Sequence, residues 1–264
     1  MIGVFGGSGF TEFLDDVTER PVDTPVGPPS GPVLVGRLGD QDVAFLARHG
    51  PGHVIPPHRI NFRANVWAMK ELGVARIFAP CAVGSLRADI APTHFVVCDQ
   101  LADRTHGRAD TYFDGPVVNH VSFADPYCPE LRGVALAACE AEDVTVHAAG
   151  TIVVVQGPRF STRAESRWYR AAGWDVIGMT QYPEAYLARE LGLCYATIAL
   201  VTDYDTGVED DPSIGPVSHA EVFEVMAANV ARLRKVLFRA IGDVPGARAA
   251  CGCAAATNGI EPVQ

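Results

Sequence analysis

Short apolar runs alternate along most of the chain with stretches that have helical periodicity. The runs rich in branched and aromatic residues predict strands and read IGVF, PVLVG, VAFLA, ARIFAP, HFVVCDQ, VNHVSF, TIVVVQ, WDVIGM and CYATIALVT. Apolar positions at helical spacing predict helices over residues 61–72, 129–142, 163–172, 184–191 and 219–241. This alternation predicts an α/β fold whose central mixed sheet is flanked by helices on both faces.

The length favours one large domain, which we expect over residues 1–243. Residues 205–216 are rich in Gly, Pro and Asp, so we expect a loop that closes over a neighbouring site. Residues 244–264 contain little besides small side chains and offer almost nothing to bury, so we expect a poorly ordered tail.

The charge limits the classes of partner. The chain has 264 residues, a hydrophobic share of 48% and a formal net charge of -10, so a nucleic acid would be repelled over most of the surface. No basic leader precedes the first apolar residues, and no apolar run approaches the roughly 20 residues of a membrane helix. We therefore expect a cytoplasmic enzyme that binds neither a membrane nor nucleic acid.

The cysteines argue against a disulfide framework. There are seven, an odd number, and only Cys251 and Cys253 are close together. No C-x-x-C pair or suitably spaced histidine completes a zinc site with them, so we interpret them as a C-x-C in a loose tail. We expect neither a metal nor a cofactor.

Several candidate ligand groups follow strands, where open α/β sheets assemble their sites. Ser8 lies in the turn GGSG, whose amides and hydroxyl suit a phosphate oxygen, although the third glycine of a dinucleotide fingerprint is absent. Arg48 and His49 end the third predicted strand, where a guanidinium fork and an imidazole can grip an oxyanion. Ser161 precedes a predicted helix, and Ser85 follows another strand.

The segment VTDYDTG is the most informative. Asp203 and Asp205 end an apolar strand, and a spacing of two residues directs both to one face. Two like charges on one face raise the pKa of one carboxyl group, which is the condition for a general acid. We expect the charge on Asp203 to raise the pKa of Asp205.

In order, GGSG, RHG, NFRANVWAMK, GSL, DRTHGRADTYF, ADPYCP, QGPRFSTRAES, GMTQYPE and TDYD resemble the methylthioadenosine phosphorylase branch of the trimeric purine nucleoside phosphorylase family. The resemblance covers residues 2–241. It implies a partly barrel-like sheet, a homotrimer with sites at subunit interfaces, and inorganic phosphate as co-substrate rather than any cofactor. It also implies two sets of site residues. The phosphate set is Ser8, Arg48, His49, Thr180 and Thr202, and the nucleoside set is Ala82, Ser161, Met179, Asp203, Asp205, His219, Val222, His53 and, from a neighbouring subunit, His120.

The resemblance implies phosphorolysis of a 6-aminopurine nucleoside. Asp205 then protonates N7 of the leaving base, and ionised Asp203 accepts from the 6-amino group and repels a 6-oxo oxygen. The sequence departs from eukaryotic relatives at Cys81, where they have threonine. The loss of that donor costs roughly 1 kcal/mol of phosphate binding unless water or Ser85 replaces it.

The 5' substituent is left open. Val222 and Phe223 suit a methylthio group, whereas His219 suits a 5'-hydroxyl, so 5'-methylthioadenosine stands ahead of adenosine or another 5'-modified adenosine. Two further alternatives are a nucleosidase that uses water and a nucleoside-binding module without catalysis. The oxyanion set argues against the first, whereas the second predicts that Asp205→Asn keeps its ligand affinity and has no activity to lose. The paired carboxylates argue against a purely structural role, because they would destabilise the fold without return.

Overall fold

A computed structural model of the chain describes residues 1–6, 14–116, 118–206, 219–248 and 251–260. The side chains of His219, Glu221 and Phe223 also lie outside the described residues. Ser8 and most of the expected loop over residues 205–216 fall in the gaps.

The strands form two mixed sheets. The first has six strands in the order β12-β5-β1-β4-β3-β2. Its members are β1 (Ile2–Gly6), β2 (Asp15–Arg20), β3 (Val33–Leu38), β4 (Gln41–Ala47), β5 (Arg76–Phe78) and β12 (Cys194–Ala196). The parallel core of this sheet is β12, β5, β1 and β4, and all five residues of β1 are buried because both faces are covered.

The second sheet has seven strands in the order β8-β10-β11-β6-β13-β7-β9. Its members are β6 (Cys81–Ser85), β7 (Phe95–Val96), β8 (Gln100–Arg104), β9 (Val146–His147), β10 (Thr151–Val155), β11 (Val176–Gly178) and β13 (Ala199–Tyr204). The expected α/β fold with mixed strands flanked by helices is thus confirmed, and its strands are divided between two sheets.

The chain crosses between the sheets three times, from β5 to β6, from β11 to β12 and from β12 to β13, and the first and last of these crossings are direct, at residues 79–80 and 197–198. There the backbone amide of Ala79 donates to Ala196 at 2.9 Å, and that of Cys81 donates to Ile198 at 3.3 Å. The two direct crossings therefore pair with each other, and strand ends from both sheets meet beside them.

Five α-helices cover the sheets in the described chain: α1 (Phe62–Glu71), α2 (Pro129–Ala141), α3 (Arg163–Ala171), α4 (Gln181–Glu190) and α5 (His219–Gly242). Their starts follow local chemistry. The Asn61 side chain accepts from the amide of Ala64, and Thr162 and Glu165 form a capping box at α3. The predicted helices are confirmed within one or two residues, except that α4 begins before residue 184.

Three strand predictions need correction. VNHVSF forms no strand in its described residues. CYATIALVT divides into β12 and β13, which belong to different sheets, because the crossing at residues 197–198 interrupts it. The sequence pattern also missed β2, β6, β8 and β9. All six residues of β2 are exposed and therefore carry no hydrophobic signal.

The C-terminal tail does have something to bury, contrary to expectation. Val244 is 5% exposed and Cys253 is 1% exposed, and both belong to the hydrophobic core. A short 3-10 helix covers Cys253–Thr257, and Arg248 Nη1 donates to the carbonyl of Gly192 at 2.9 Å. The tail is thus packed beside the end of α4.

Among the described helices, none combines the length and apolar character needed to cross a lipid bilayer.

Candidate active site

A cleft of about 750 Å³ opens where the two sheets meet. It is lined by strand ends of both sheets and by one side of α5. The predicted site residues found in its wall are Arg48, His49, His53, Ala82, Ser161, Met179, Thr180, Thr202, Asp203, Asp205 and Val222. The fold therefore brings most of the predicted site residues together in one cleft.

Three members of the predicted set are not placed in this wall. Ser8 and the side chain of His219 lie outside the described residues. His120 is exposed and does not line the cleft of its own chain.

Arg48, just after β4, is buried in the wall of the cleft and has a carboxylate partner. Its Nε and Nη2 donate to the two carboxylate oxygens of Glu184 at 2.6 and 2.7 Å, and its Nη1 donates to the carbonyl of Pro80 at 3.2 Å. Burial opposes the charge of Arg48, but the carboxylate of Glu184 outweighs it, so the pKa of the guanidinium is raised. The expectation of a fork open to phosphate is corrected. Only the second hydrogen on each terminal nitrogen is left for an anion.

His49 is neutral near pH 7. Burial lowers the pKa of its imidazole to about 4, and the neighbouring charge of Arg48 acts in the same direction. Nδ1 lies 2.9 Å from the carbonyl of Ile55, which can only accept, so Nδ1 carries the hydrogen and Nε2 is an acceptor. His53 stacks on this ring with centroids 4.2 Å apart. His49 therefore donates to phosphate only after it takes up a proton, which an arriving anion favours.

The two threonines differ in what their hydroxyls contact. Thr180 stands at the start of α4, where its side chain makes no capping hydrogen bond. Thr202 Oγ1 lies 2.7 Å from Asp203 Oδ2 and 3.2 Å from the carbonyl of Val83, both acceptors. Its single hydrogen is thus bonded within the protein, so the Thr202 hydroxyl can only accept a hydrogen bond from a ligand.

A β-bulge directs the acidic residues into the cleft. The pairing of β13 with β6 shifts between Val201 and Asp203, so Thr202 is the extra residue. In a regular strand, Thr202 and Asp203 would point to opposite faces, but both line the cleft because the bulge re-aims the chain. Asp203 and Asp205 both line it as well, as their spacing predicted.

Asp205 is a buried carboxyl group with a raised pKa. Burial is the main cause. The charge of Glu165 adds to the rise, while the hydroxyls of Ser166 and Ser161 oppose it. Burial, rather than the expected charge on Asp203, is therefore the largest cause. Within the described chain, Oδ2 of Asp205 has no hydrogen-bond partner of good geometry, and neither has the Ser161 hydroxyl. Both atoms are thus available to a ligand in the cleft.

Gly84 in β6 gives the carboxylates their space. A β-carbon built there would lie 3.0 Å from Asp203 Oδ1 and 3.1 Å from the Ile177 side chain. Any larger residue would therefore press on the acidic pair.

One wall of the cleft is apolar. Val222, Met226, Ala227 and Val230 line it from α5, and Phe160 adds an aromatic ring. The cleft thus combines a cation and a histidine, two carboxyl groups and an apolar wall.

A family model described as the phosphorylase superfamily matches residues 1–242. The chain belongs to the phosphorylase superfamily. A purine nucleoside phosphorylase of Streptomyces coelicolor is 54% identical over 99% of this chain and 95% of its own length. An S-methyl-5'-thioadenosine phosphorylase of Mycolicibacterium smegmatis is 52% identical over 96% of this chain and 95% of its own length.

A solved structure shares the fold of this phosphorylase. Methylthioadenosine phosphorylase from Schistosoma mansoni, in complex with adenine, superposes with a TM-score of 0.91 at 37% identity, over 97% of this chain and 96% of that chain. The resemblance drawn from the motifs is therefore confirmed, and so is the expectation of a pentosyl-transferring enzyme.

In this phosphorylase Cys81 lines the cleft but is already hydrogen-bonded. Its Sγ lies 3.5 Å from Thr197 Oγ1, whose own hydrogen is given to the carbonyl of Ala79 at 2.9 Å, so the thiol is the donor. Burial raises its pKa, which keeps it neutral. Ser85 cannot replace the missing threonine hydroxyl, because it donates to the carbonyl of Arg87 at 2.7 Å and does not line the cleft.

Two supporting residues were missed from the sequence. Glu184, which holds Arg48, is 136 residues away from it, and a glutamate in the first turn of a helix ordinarily signals only a helix start. Arg108 donates to the carbonyls of Gln156, Met179 and Tyr182, which fixes the backbone behind Met179. Such partners are visible only after the chain has folded.

Proposed function

We propose that this phosphorylase cleaves 5'-methylthioadenosine with inorganic phosphate to give adenine and 5-methylthioribose 1-phosphate, without any cofactor. The observation that carries the proposal is the combination of groups that line one cleft, namely a buried carboxyl group with a raised pKa, an oxyanion-binding pair of Arg48 and His49, and an apolar wall.

At the oxyanion-binding end, phosphate accepts hydrogen bonds from the remaining N–H groups of Arg48 and from the hydroxyl of Thr180. Neutral His49 accepts a hydrogen bond from monoprotonated phosphate, whereas protonated His49 donates one to it. Ser8 and Thr202 complete the proposed set. The phosphate oxygen attacks C1' of the ribose, and its charge stabilises the oxocarbenium character that develops there more than it stabilises the ground state.

At the base, the bond from C1' to N9 breaks and leaves its electron pair on the purine. Asp205 gives its proton to N7, so adenine departs as a neutral molecule and Asp205 is left as a carboxylate. Asp203 accepts from the 6-amino group. Ser161, Met179 and Ala82 hold the nucleoside between these groups.

The apolar wall supports the methylthio group as the 5' substituent. Val222 and Met226 offer no hydrogen-bonding group, so a 5'-hydroxyl placed against them would lose water without compensation. The relative from Mycolicibacterium smegmatis, 52% identical, bears the name of such an enzyme.

A broader purine nucleoside phosphorylase is the second candidate. The relative from Streptomyces coelicolor, at 54% identity, bears that name. In this alternative His219, the first residue of α5, holds a 5'-hydroxyl.

The test is to incubate the protein with methylthioadenosine, adenosine and inosine, each with and without phosphate, and to separate free base from nucleoside by chromatography. We expect phosphate-dependent release of adenine, fastest from methylthioadenosine, and little hypoxanthine. Equal rates with adenosine would favour the second candidate. Base release independent of phosphate would make the protein a hydrolase, and binding without release would make it a nucleoside-binding module.

The proposed assembly is a homotrimer in which His120 reaches the 5' side of a neighbouring subunit's site. The exposed position of His120, away from the cleft of its own chain, supports this arrangement. Light scattering should give three times the chain mass, and His120→Ala should raise KM for the nucleoside without changing KM for phosphate. A fully active monomer would contradict both expectations.

A further inference from the structure

Four of the cysteines converge on one point behind the active site, although they come from three separate parts of the chain. Cys128 stands at the N-cap of α2, Cys194 begins β12, and Cys251 and Cys253 come from the C-terminal tail. Their sulfur atoms all lie within 4.8 Å of one another, and three of the four residues are buried. The sequence spacing concealed this cluster because two of its members lie far from the C-x-C pair.

The distances suit a shared metal ion. A tetrahedral zinc ion bonded to four sulfurs at about 2.3 Å separates the sulfurs by roughly 3.8 Å. The sulfurs of Cys194 and Cys251 are 3.5 Å apart, whereas a disulfide requires about 2.0 Å. Ordinary core cysteines are scattered as small apolar residues, as Cys98 and Cys139 are here.

The surroundings favour negative charge at the cluster. The backbone amide of Leu131, in the first turn of α2, favours negative charge on the Cys128 sulfur by hydrogen bonding, and the positive end of the helix dipole has the same effect. The charge of Arg189 acts on Cys253.

We propose that Cys128, Cys194, Cys251 and Cys253 bind one Zn²⁺ ion as a closed structural site. Soft thiolate ligands in a single tetrahedral set select zinc among the common divalent ions. Each thiol loses its proton to solvent as its sulfur bonds the metal, and the ion undergoes no redox change. No coordination position is left open, so the metal has no part in the chemistry of the cleft.

The site joins the tail to the body of the protein. Cys194 lies at the amino end of β12, whereas Arg48 follows the carboxyl end of β4, which runs in the same direction in the parallel core of the first sheet. The metal is thus at the sheet edge opposite the active site. Its loss should release the tail and lower stability while the cleft keeps its shape.

The first measurement is the metal content of the purified protein by elemental mass spectrometry, before and after reconstitution with zinc chloride under reducing conditions. We expect about one zinc per chain, released together with newly reactive thiols when the protein is unfolded. Cobalt reconstitution should give the strong visible absorption of a tetrahedral tetrathiolate site.

The variant Cys251→Ala/Cys253→Ala should lose the metal, and its Tm should fall by at least about 5 °C while turnover at room temperature stays close to that of the parent. The control is Cys139→Ala, another buried cysteine outside the cluster, which should keep its zinc.

Two results would overturn the proposal. One is a protein that carries no zinc after reconstitution and has all four thiols open to alkylation. The other is a protein in which mass spectrometry after non-reducing digestion finds these cysteines joined as disulfides. Both readouts use the parent protein, so they hold even if the variant fails to fold.

Discussion

At the scale of single residues, the proposed chemistry depends on the environment of Asp205 more than on its spacing from Asp203. Its burial raises the pKa, and its Oδ2 has no hydrogen-bond partner of good geometry among the described residues. A buried carboxyl group of this kind favours the protonated form and can donate to a base nitrogen.

Asp205→Asn should lower kcat by about 100- to 1,000-fold, because the amide has the same shape but no acidic proton to give. KM for phosphate should change little, since Asp205 is not among the groups proposed to bind phosphate. Steady-state kinetics with methylthioadenosine and varied phosphate measure both.

The neighbouring acid provides the control. Asp203→Asn should retain much of the turnover of the protein but shift its preference from 6-amino towards 6-oxo purines, because the amide NH₂ can donate to the 6-oxo oxygen. The ratio of kcat/KM for inosine and adenosine measures the shift. If the two variants behaved alike, the separate roles of acid and acceptor would be wrong.

His49 makes stability depend on pH. Its pKa is about 4 in the folded protein and about 6.5 when unfolded, so the unfolded chain takes up the proton first as the pH falls through this range. The stability is complete above pH 6.5 and is lost towards pH 4. By linkage, lowering the pH from 7 to 5 costs about 2 kcal/mol of unfolding free energy.

His49→Asn removes the titrating group and keeps a donor for the Ile55 carbonyl. The difference in Tm between pH 7 and pH 5 should therefore be smaller in the variant than in the parent. Saturating phosphate should reduce the fall in Tm between pH 7 and pH 5 in the parent alone, because the anion favours protonated His49. An identical pH dependence in both proteins would show that His49 is not the group that titrates.

At the scale of elements, the sequence predicted what depends on local periodicity and missed what depends on tertiary pairing. The helices were recovered because an apolar stripe and a cap such as Asn61 are local features. The strand β2 was missed because every side chain is exposed. The division of β12 from β13 was missed because both halves of the run are apolar and only the crossing between sheets separates them.

Helix α5 should set the preference for the 5' substituent. Val222→Thr keeps the side-chain volume but adds a hydroxyl to the apolar wall, so KM for methylthioadenosine should rise roughly 5- to 10-fold, about 1 kcal/mol, while KM for adenosine changes less. The comparison of the two KM values measures the effect. Val225→Thr is the matched control, because that residue is on the same helix but does not line the cleft. Equal effects from both variants would remove α5 from the 5' site.

At the scale of the whole molecule, the candidate site was predictable as a set of residues but not as an electrostatic arrangement. Strand ends placed Arg48, Thr180 and Asp205 together, as expected of an α/β sheet. The ion pair between Arg48 and Glu184 forms only because two elements far apart in sequence, β4 and α4, meet in the folded protein. Tyr195 on β12 adds a third, since its hydroxyl donates to Glu184 Oε1 at 2.7 Å. The cationic end of the cleft is therefore also the junction of β4, α4 and β12.

That junction predicts a link between phosphate and stability. Glu184→Gln keeps an acceptor for Arg48 Nη2 and Tyr195, but it loses the acceptor of Arg48 Nε and the charge. The buried guanidinium is then left without its counter-ion, which should cost about 3 kcal/mol of unfolding free energy. Phosphate can replace part of the lost charge, so it should raise the Tm of the variant more than that of the parent.

Glu190→Gln provides the matched control. This residue is a second buried glutamate of α4, and burial raises its pKa. Its carboxylate accepts hydrogen bonds from the Thr111 hydroxyl and the Tyr112 amide, neither of which is charged, so its loss of charge should cost less and give no added response to phosphate. Thermal melts with and without phosphate compare all three proteins. If phosphate stabilised the three equally, Arg48 would not be shared between Glu184 and the co-substrate, and the anion would have to be held by the other groups of the cleft.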